Sequence, residues 1–268
     1  NVNATDNRGN TALIWASHTG RIEIAKLLIA KGANINAKDN NGSTALMTAS
    51  FYGHIAIAKL LIANGANVNA RDNCGGGTAL VNACKQGHLG IVKLLIAKGA
   101  YVNIISNDCD GTALIAASQN GKIGIVKLLI AKGANLNYIN EDGDTALIIA
   151  LQSFNTDVAK FLIAQGANVN AKNNNGSTAL IEASKKGKTE IVKLLITKGA
   201  NVNSKTKNSR TALMEASEKG HIKIVKLLIA AHANVNAKAK FFITALKLAL
   251  KKNHTKVVKL LRAAGARE

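Results

Sequence analysis

The sequence contains no proline, and aromatic residues account for only 3% of its 268 positions. Proline is the residue that most strongly interrupts helices, so its absence fits a helix-rich chain with few rigid turns. Apolar residues nevertheless make up 47% of the sequence. With so few aromatic rings, a core of this size must be built mainly from Leu, Ile, Val and Ala.

The sequence is also poor in acidic residues and in cysteine. It has 15 Asp and Glu against 35 Lys and Arg, which gives a net charge of +20. This charge permits acidic proteins, nucleic acid or an anionic membrane surface as partners and does not choose between them. The three cysteines, Cys74, Cys84 and Cys109, lack the spacing of a metal-ligand cluster, and their odd number leaves at least one thiol unpaired within the chain.

Long apolar runs are missing as well. No run approaches the roughly 18 residues that a membrane span requires, and no signal peptide is visible. The sequence begins at Asn1, without Met and within a repeat, so we expect that an upstream segment has been removed. The missing signal peptide therefore says nothing about the compartment, and cytoplasmic, periplasmic and secreted locations all remain open.

Repetition is what the sequence has in abundance. The tripeptide Thr-Ala-Leu occurs eight times at spacings of 33 or 34 residues. It starts at Thr11, Thr44, Thr78, Thr112, Thr145, Thr178, Thr211 and Thr244. A second signature follows each Thr, as in Ile-Ala-Lys-Leu-Leu-Ile-Ala-Lys-Gly-Ala-Asn at residues 24–34. Each repeat therefore carries the same two segments in the same order.

The residues of one repeat predict two short helices and a turn. Thr11 is a good N-cap, so we expect a first helix over residues 12–19, which Gly20 ends. A second helix is expected over roughly residues 22–31, because its apolar residues fall on one broad face. The sequence Asp-Asn-Asn-Gly at residues 39–42 predicts a β-turn. Neither helix is long enough to be stable alone, so stacked repeats must bury the apolar faces.

This pattern resembles the ankyrin repeat family. The second repeat matches the family pattern at Asp39-Asn40-Asn41-Gly42-Ser43-Thr44-Ala45-Leu46, Gly53-His54, Leu60-Leu61 and Gly65-Ala66-Asn67-Val68-Asn69-Ala70. The resemblance implies an all-α solenoid of about eight helix-pair repeats with short β-turn fingers, in a single domain over residues 1–268. Repeats are expected near residues 6–38, 39–71, 72–105, 106–139, 140–172, 173–205, 206–238 and 239–268, after a partial repeat at residues 1–5.

Two departures from the family pattern recur. Ala replaces the family's Pro in all eight repeats, and an apolar residue replaces the His after Leu in seven of them. The seven are Ile14, Met47, Val81, Ile115, Ile148, Ile181 and Met214, whereas the eighth repeat has Lys247. The hydrogen bonds that this His makes are then absent, and we expect hydrophobic packing to compensate for them.

Aromatic residues provide the first candidate binding site. The resemblance implies that partners dock on the turn fingers and on the exposed face of the first helices, which together form a concave surface. Trp15, Phe51 and Tyr52 lie on first helices at positions facing this groove, where large rings are candidate hot spots. The alternative is that Trp15 packs against the next helix and the other two rings are incidental. Phe241 and Phe242 replace the turn's Asp and Gly in the last repeat, and we expect them to seal that repeat.

Polar candidates for partner contact form three groups. Acidic residues cluster on two adjacent fingers, at Asp108, Asp110, Glu141, Asp142 and Asp144. They suit a basic patch on a partner; the alternative is a Ca²⁺ site, although their spacing is unlike an EF-hand loop. Four polar residues on first helices join the set, namely Lys85, Gln86, Gln119 and Gln152. Basic residues on the groove side of later repeats are Lys185, Lys186 and Lys219, beside Arg210 on a finger, and they favour an acidic protein over nucleic acid because no stacking aromatics are interleaved with them.

These features predict a protein–protein interaction module with no enzyme activity. The sequence has no Ser-His-Asp order, phosphate-binding loop or His-Glu-x-x-His motif, and no cofactor or metal site is expected. We expect a monomer that binds a partner protein through the concave groove and turn fingers. The alternative is an electrostatic binder of nucleic acid or anionic membrane through the C-terminal third, since residues 173–268 hold 20 basic and five acidic residues.

The cysteines bear on the compartment. Cys84 replaces a small residue of a first helix and is expected to be buried and reduced. Cys74 and Cys109 lie on neighbouring fingers that are each one residue longer than the others. Neighbouring repeats should be offset by about 8–10 Å, whereas a disulfide needs Cα atoms within about 4.4–6.8 Å. A bridge is therefore allowed only if the two lengthened fingers lean together.

Counting thiols in the denatured, unreduced protein distinguishes the two states. The offset between repeats favours three thiols, which would make a cytoplasmic location the better expectation. A single thiol would instead establish the Cys74–Cys109 bridge and an oxidising compartment.

Overall fold

The computed structural model describes residues 1–106 and 111–267. The chain divides into two compact units, Asn1–Tyr138 and Ile139–Glu268. Both units are built from pairs of short helices, which confirms the helix-pair architecture that the repeats predict. In each unit the first helix of one repeat packs on the first helix of the next, and the second helices pack on one another in the same way.

The described part of the first unit holds four helix pairs. Its first helices are α1 (Ala12–Thr19), α3 (Ala45–Tyr52), α5 (Ala79–Gln86) and α7 (Ala113–Gln119). Its second helices are α2 (Ile22–Ala30), α4 (Ile55–Ala63), α6 (Leu89–Ala97) and α8 (Ile123–Ala131). Two short antiparallel strands, β1 (Ile105–Ser106) and β2 (Gly111–Thr112), precede α7, and Ile105 lies opposite Thr112.

The second unit, up to residue 267, also holds four helix pairs. Its first helices are α9 (Ala146–Gln152), α11 (Ala179–Lys185), α13 (Ala212–Glu218) and α15 (Ala245–Lys251). Its second helices are α10 (Thr156–Ala164), α12 (Thr189–Thr197), α14 (Ile222–Ala230) and α16 (Thr255–Ala263). A short 3-10 helix, Lys240–Phe242, precedes α15 and occupies the turn where the other repeats have a finger.

The repeated threonine caps the first helices as the sequence predicts. In α5, for example, Thr78 Oγ1 accepts a hydrogen bond of 3.3 Å from the backbone N of Val81. The same bond forms at six other repeats, at Thr11, Thr44, Thr145, Thr178, Thr211 and Thr244. Thr112 differs, because its side chain makes no capping bond and its hydroxyl is buried without a partner among the described residues.

The apolar residues that replace the family's His are all buried. Exposure is 4% or less at Ile14, Met47, Val81, Ile115, Ile148, Ile181 and Met214. They join the leucines of the Thr-Ala-Leu motif and the Leu-Leu pairs of the second helices, such as Leu61 and Leu95, in the core. Hydrophobic packing thus takes the place of the lost polar contacts, as expected, whereas Lys247 in the last repeat is exposed.

Asparagine side chains join successive repeats within each unit, in what we call the asparagine ladder. Asn36 Nδ2 donates to the carbonyl of Gly65 at 3.1 Å, while its Oδ1 accepts from the backbone N of Asn67 at 2.8 Å. One amide therefore binds the backbone of residues 65 and 67, just after the second helix of the next repeat. The same pair of contacts recurs at Asn69, Asn103, Asn170, Asn203 and Asn236.

Histidine and glycine also act across the repeats. His54 Nε2 lies 3.2 Å from the carbonyl of His18, and its ring fills the space beside Gly20. Gly20 has a φ of 72°, and a Cβ there would lie 2.7 Å from the His54 ring. The same arrangement recurs at three pairs, Gly53–His88, Gly187–His221 and Gly220–His254. Both the backbone conformation and the neighbouring ring therefore require glycine at these positions.

Three helix ends lack the usual glycine: Phe154 and Asn253 stand after first helices, and His232 stands after a second helix. All three keep the left-handed conformation, with φ of 64°, 57° and 62°. Phe154 is accommodated because the following repeat has Lys188 in place of the histidine, and the Nζ atoms of Lys186 and Lys188 lie 3.9 and 5.5 Å from its ring centroid.

The unequal threonine caps give a prediction for stability. Thr78→Val removes a capping hydrogen bond and should lower the free energy of unfolding by about 1 kcal/mol. Thr112→Val removes a buried hydroxyl with no hydrogen-bond partner among the described residues. It should therefore lower the free energy of unfolding by clearly less, or even raise it. Urea unfolding of the two variants measures the difference, and equal losses would contradict it.

Candidate functional site

Exposed aromatic rings lie together on α1 and α3, the first helices of the first two repeats. Trp15 in α1 and Tyr52 in α3 are each 45% exposed, and Phe51 is 37% exposed. His18 connects them, since its ring centroid is 5.3 Å from that of Trp15 and 4.3 Å from that of Tyr52, both edge to face. His18 is not among the residues predicted from the sequence, although its place one helical turn after Trp15 was an available signal.

An acidic residue of the turn holds the indole in place. Asp6 Oδ2 accepts a hydrogen bond of 3.0 Å from Trp15 Nε1. The side chain and backbone of Asn10, then Trp15 and the backbone of Arg8, hydrogen-bond the same carboxylate and lower the pKa of Asp6 to about 2. Asp6 is therefore ionised at neutral pH, and the tryptophan ring is fixed on the surface before any partner arrives.

These rings line a groove of about 530 Å³ within the first unit, here called the aromatic groove. Ile14 and Met47 form its apolar floor, and the polar residues of two turn fingers form the opposite wall. The lining residues are Asn7, Arg8, Asn10, Ile14, Trp15, His18, Asp39, Asn40, Asn41, Ser43, Met47, Thr48, Phe51, Tyr52 and Asn82. The arrangement can hold apolar side chains of a ligand and hydrogen-bond its backbone at the rim.

The remaining candidates of the first unit stand apart from the aromatic groove. Lys85 and Gln86 at the end of α5 and Gln119 at the end of α7 are exposed and do not line it. Cys84 is buried in α5, as expected, and Cys74 is exposed on its finger. Asp108 and Asp110, together with Cys109, lie outside the described residues.

In the second unit the acidic residues separate by environment. Glu141 and Asp142 are exposed on the finger, as contact with a basic partner requires. Asp144 needs a correction, because it is buried between its own repeat and the finger of the next one. Its Oδ1 accepts a 2.8 Å hydrogen bond from Asn173 Nδ2, and both of its carboxylate oxygens accept from Gln152 Nε2 at 3.3 Å.

Burial dominates the electrostatics of this carboxylate. Desolvation raises the pKa of Asp144, and the hydrogen bonds from Asn173 and Gln152 oppose the shift without cancelling it. Asp144 and Gln152 are thus tied to one another and to the next repeat's finger. These contacts support the fold of the second unit, although Gln152 is only half-buried.

The basic candidates of the second unit are only partly available. Lys185 and Lys219 are exposed at the ends of their helices, while Lys186 packs over the Phe154 ring. Arg210 needs a correction, because it is paired with Glu215 and Glu218 on α13. Burial opposes the charge of Arg210, but the two carboxylates outweigh that effect and raise its pKa.

A pocket of about 260 Å³ beside Arg210 is therefore mixed in charge. Glu182 and Glu215 line it together with Lys185, Lys207 and Arg210. Glu182 is buried and accepts a 2.7 Å hydrogen bond from Ser177 Oγ. A continuous basic groove, which nucleic acid would require, is not present at this place.

The last turn contradicts another expectation. Phe241 and Phe242 do not seal the terminal repeat, since they are 89% and 71% exposed. Their φ angles of 58° and 56° place both residues in the left-handed region, and the resulting turn leaves neither ring packed on the core. The pair is therefore an exposed apolar tip in a basic environment.

Residues 1–106 and 111–267 show neither a metal-binding cluster nor a membrane-spanning helix. No group of three or more His, Cys, Asp or Glu side chains in these ranges lies close enough to share a metal ion. None of their helices combines the length and apolar content needed to cross a bilayer.

The repeats match a known family in sequence and in structure. A family model described as ankyrin repeats (3 copies) matches residues 1–72, 39–106, 80–173, 165–239 and 204–267. Among solved structures, the human ASB11 ankyrin repeat domain is similar, with a TM-score of 0.74 and 28% sequence identity. The match covers 84% of this chain and 99% of that one. No curated protein sequence matches the chain significantly.

The raised pKa of Asp144 predicts a pH-dependent stability. Above that pKa the buried carboxylate is charged and opposes folding; as pH falls through it, protonation removes the penalty. Asp144→Asn carries no charge and can still accept a hydrogen bond from Asn173. Its stability should therefore exceed that of the wild type most near pH 7, and this difference should shrink toward pH 4.

Thermal unfolding between pH 4 and pH 7 measures this difference. Glu141→Gln removes an equal charge from an exposed position of the same finger and controls for net charge. A difference between wild type and Asp144→Asn that stays constant over the range would refute the assignment.

Proposed function

This chain belongs to the ankyrin repeat family, and from that premise we propose that it binds a partner protein through the aromatic groove and the fingers beside it. Ankyrin repeats are in general protein–protein interaction modules, and the fold is typically a non-enzymatic scaffold. The observation that carries the proposal is the group of exposed rings, Trp15, Phe51 and Tyr52, around one groove.

Energetics favour this place for binding. Binding hot spots are enriched in Trp and Tyr, which bury much apolar area and lose little conformational freedom. Trp15 loses even less, because Asp6 already fixes its indole. A groove of about 530 Å³ accepts one or two large side chains of a partner, and the Asn side chains of the fingers supply a polar rim.

Further exposed residues extend the proposal outside the aromatic groove. In the first unit they are Lys85, Gln86 and Gln119. In the second unit they are Glu141, Asp142, Lys185 and Lys219. These side chains are suited to rim contacts, which steer association and set specificity more than they add affinity.

A second candidate function is electrostatic binding of nucleic acid or of an anionic membrane by the C-terminal third. From Lys219 to Arg267 the sequence has no Asp or Glu. A salt titration separates the two functions. For binding to a polyanion, the logarithm of the affinity falls steeply and linearly with the logarithm of the salt concentration.

The proposal predicts that Tyr52→Ala weakens capture of the partner by about 30-fold, the loss of about 2 kcal/mol that is typical of a hot spot. The thermal midpoint should hardly change, because the ring is half exposed. Quantitative affinity capture on the immobilised chain, followed by titration with the purified partner, measures the effect.

Tyr101→Ala is the matched control. Tyr101 is an exposed aromatic of the same unit that does not line the aromatic groove. A partner retained equally well by Tyr52→Ala and by the wild type would rule out the aromatic groove as its binding site.

A further inference from the structure

The last turn of the second unit combines two features that are rare on a protein surface. Two consecutive phenylalanines, Phe241 and Phe242, extend into solvent, and lysines surround them in sequence. Residues 238–243 are called the Phe finger below. Apolar surface of this kind is costly to leave in water and commonly marks a contact site.

The backbone of the Phe finger is held in a strained form. Both phenylalanines have positive φ, a region that bulky side chains avoid and that glycine adopts freely. The turn is closed by a 2.8 Å hydrogen bond from the backbone N of Ala239 to the carbonyl of Ile243. Strain kept in a well-closed turn that directs two rings outward is consistent with a contact role.

Positive charge surrounds the rings. Lys238 and Lys240 flank them, and the Nζ atom of Lys238 lies 5.7 Å from the centroid of Phe242. The backbone N of Lys240 donates to the carbonyl of Asn208, which brings the finger with Lys205 and Lys207 alongside. All four lysines are exposed.

Acidic residues do not offset this charge. The stretch from Lys219 to Arg267 contains 12 Lys and Arg and no Asp or Glu. On the N-terminal side of this stretch the nearest carboxylates, Glu215 and Glu218, are engaged by Arg210, and Glu268 follows the stretch in the sequence. The Phe finger thus presents an apolar tip inside a field of one sign.

We propose that the Phe finger docks the protein peripherally on an anionic lipid bilayer, with both rings in the interface and the lysines at the headgroups. A convex apolar tip needs no complementary cavity in a bilayer, whereas a folded protein partner would have to supply one. Lysine stems can lie along the inserted rings while their ammonium groups stay at the headgroups. An apolar anchor and a polybasic patch together supply the two signals that stable peripheral binding requires.

Vesicle sedimentation tests this site without reference to the aromatic groove. Wild type should bind vesicles of phosphatidylcholine and phosphatidylserine in about a three-to-one ratio, and should not bind pure phosphatidylcholine vesicles. Phe241→Gly/Phe242→Gly should lower the partition coefficient by about 30-fold. Its thermal midpoint should stay the same or rise, because glycine relieves the backbone strain.

Phe154→Gly is the matched control, since it removes another exposed phenylalanine with positive φ from the same unit. It should bind vesicles as wild type does, and so should Tyr52→Ala. The proposal is overturned if wild type does not bind the anionic vesicles, or if the double glycine variant binds them as well as wild type. It is equally overturned if Phe154→Gly lowers the partition coefficient as much as the double glycine variant does. It is also overturned if a short DNA duplex displaces the vesicles and binds the wild type and the double glycine variant equally well.

Discussion

The asparagine ladder is the contact on which the rest of each unit depends. The chain that leaves a second helix has backbone groups with no partner inside that helix. One amide, such as that of Asn36, donates to the carbonyl of the glycine that follows the next repeat's second helix and accepts from the backbone N two residues later. Because donor and acceptor sit on one rigid group, the amide fixes the spacing and rotation of one repeat on the next. The aromatic groove and the mixed-charge pocket inherit their geometry from that spacing.

The fold could be predicted nearly in full, because its determinants are local and repeated. The Thr-Ala-Leu motif predicts where a first helix begins, and α1 occupies the range expected for it. Burial of the seven apolar residues in place of histidine also followed from the pattern. Within each unit the arrangement of distant residues needed no separate inference, since neighbouring repeats of a unit contact one another in the same way.

The candidate site was less predictable, because its outcome depends on individual side-chain partners. The sequence shows that Asp144 follows Glu141 and Asp142, but it does not show that Asn173 of the next repeat turns Asp144 inward. Likewise Arg210 counts as one more basic residue until its contacts with Glu215 and Glu218 are seen. Phenylalanine is most often a core residue, and only the left-handed backbone of Phe241 and Phe242 reveals that these two rings point outward.

The buried apolar residues that stand where histidine is usual have a consequence for temperature. A hydrogen bond and an apolar contact of equal strength near room temperature respond differently to cooling, since apolar hydration carries a large heat capacity. At seven positions of this chain an apolar contact replaces a hydrogen bond. The stability curve should therefore bend more sharply, and the stack of repeats should loosen on cooling sooner than an array that keeps the histidines.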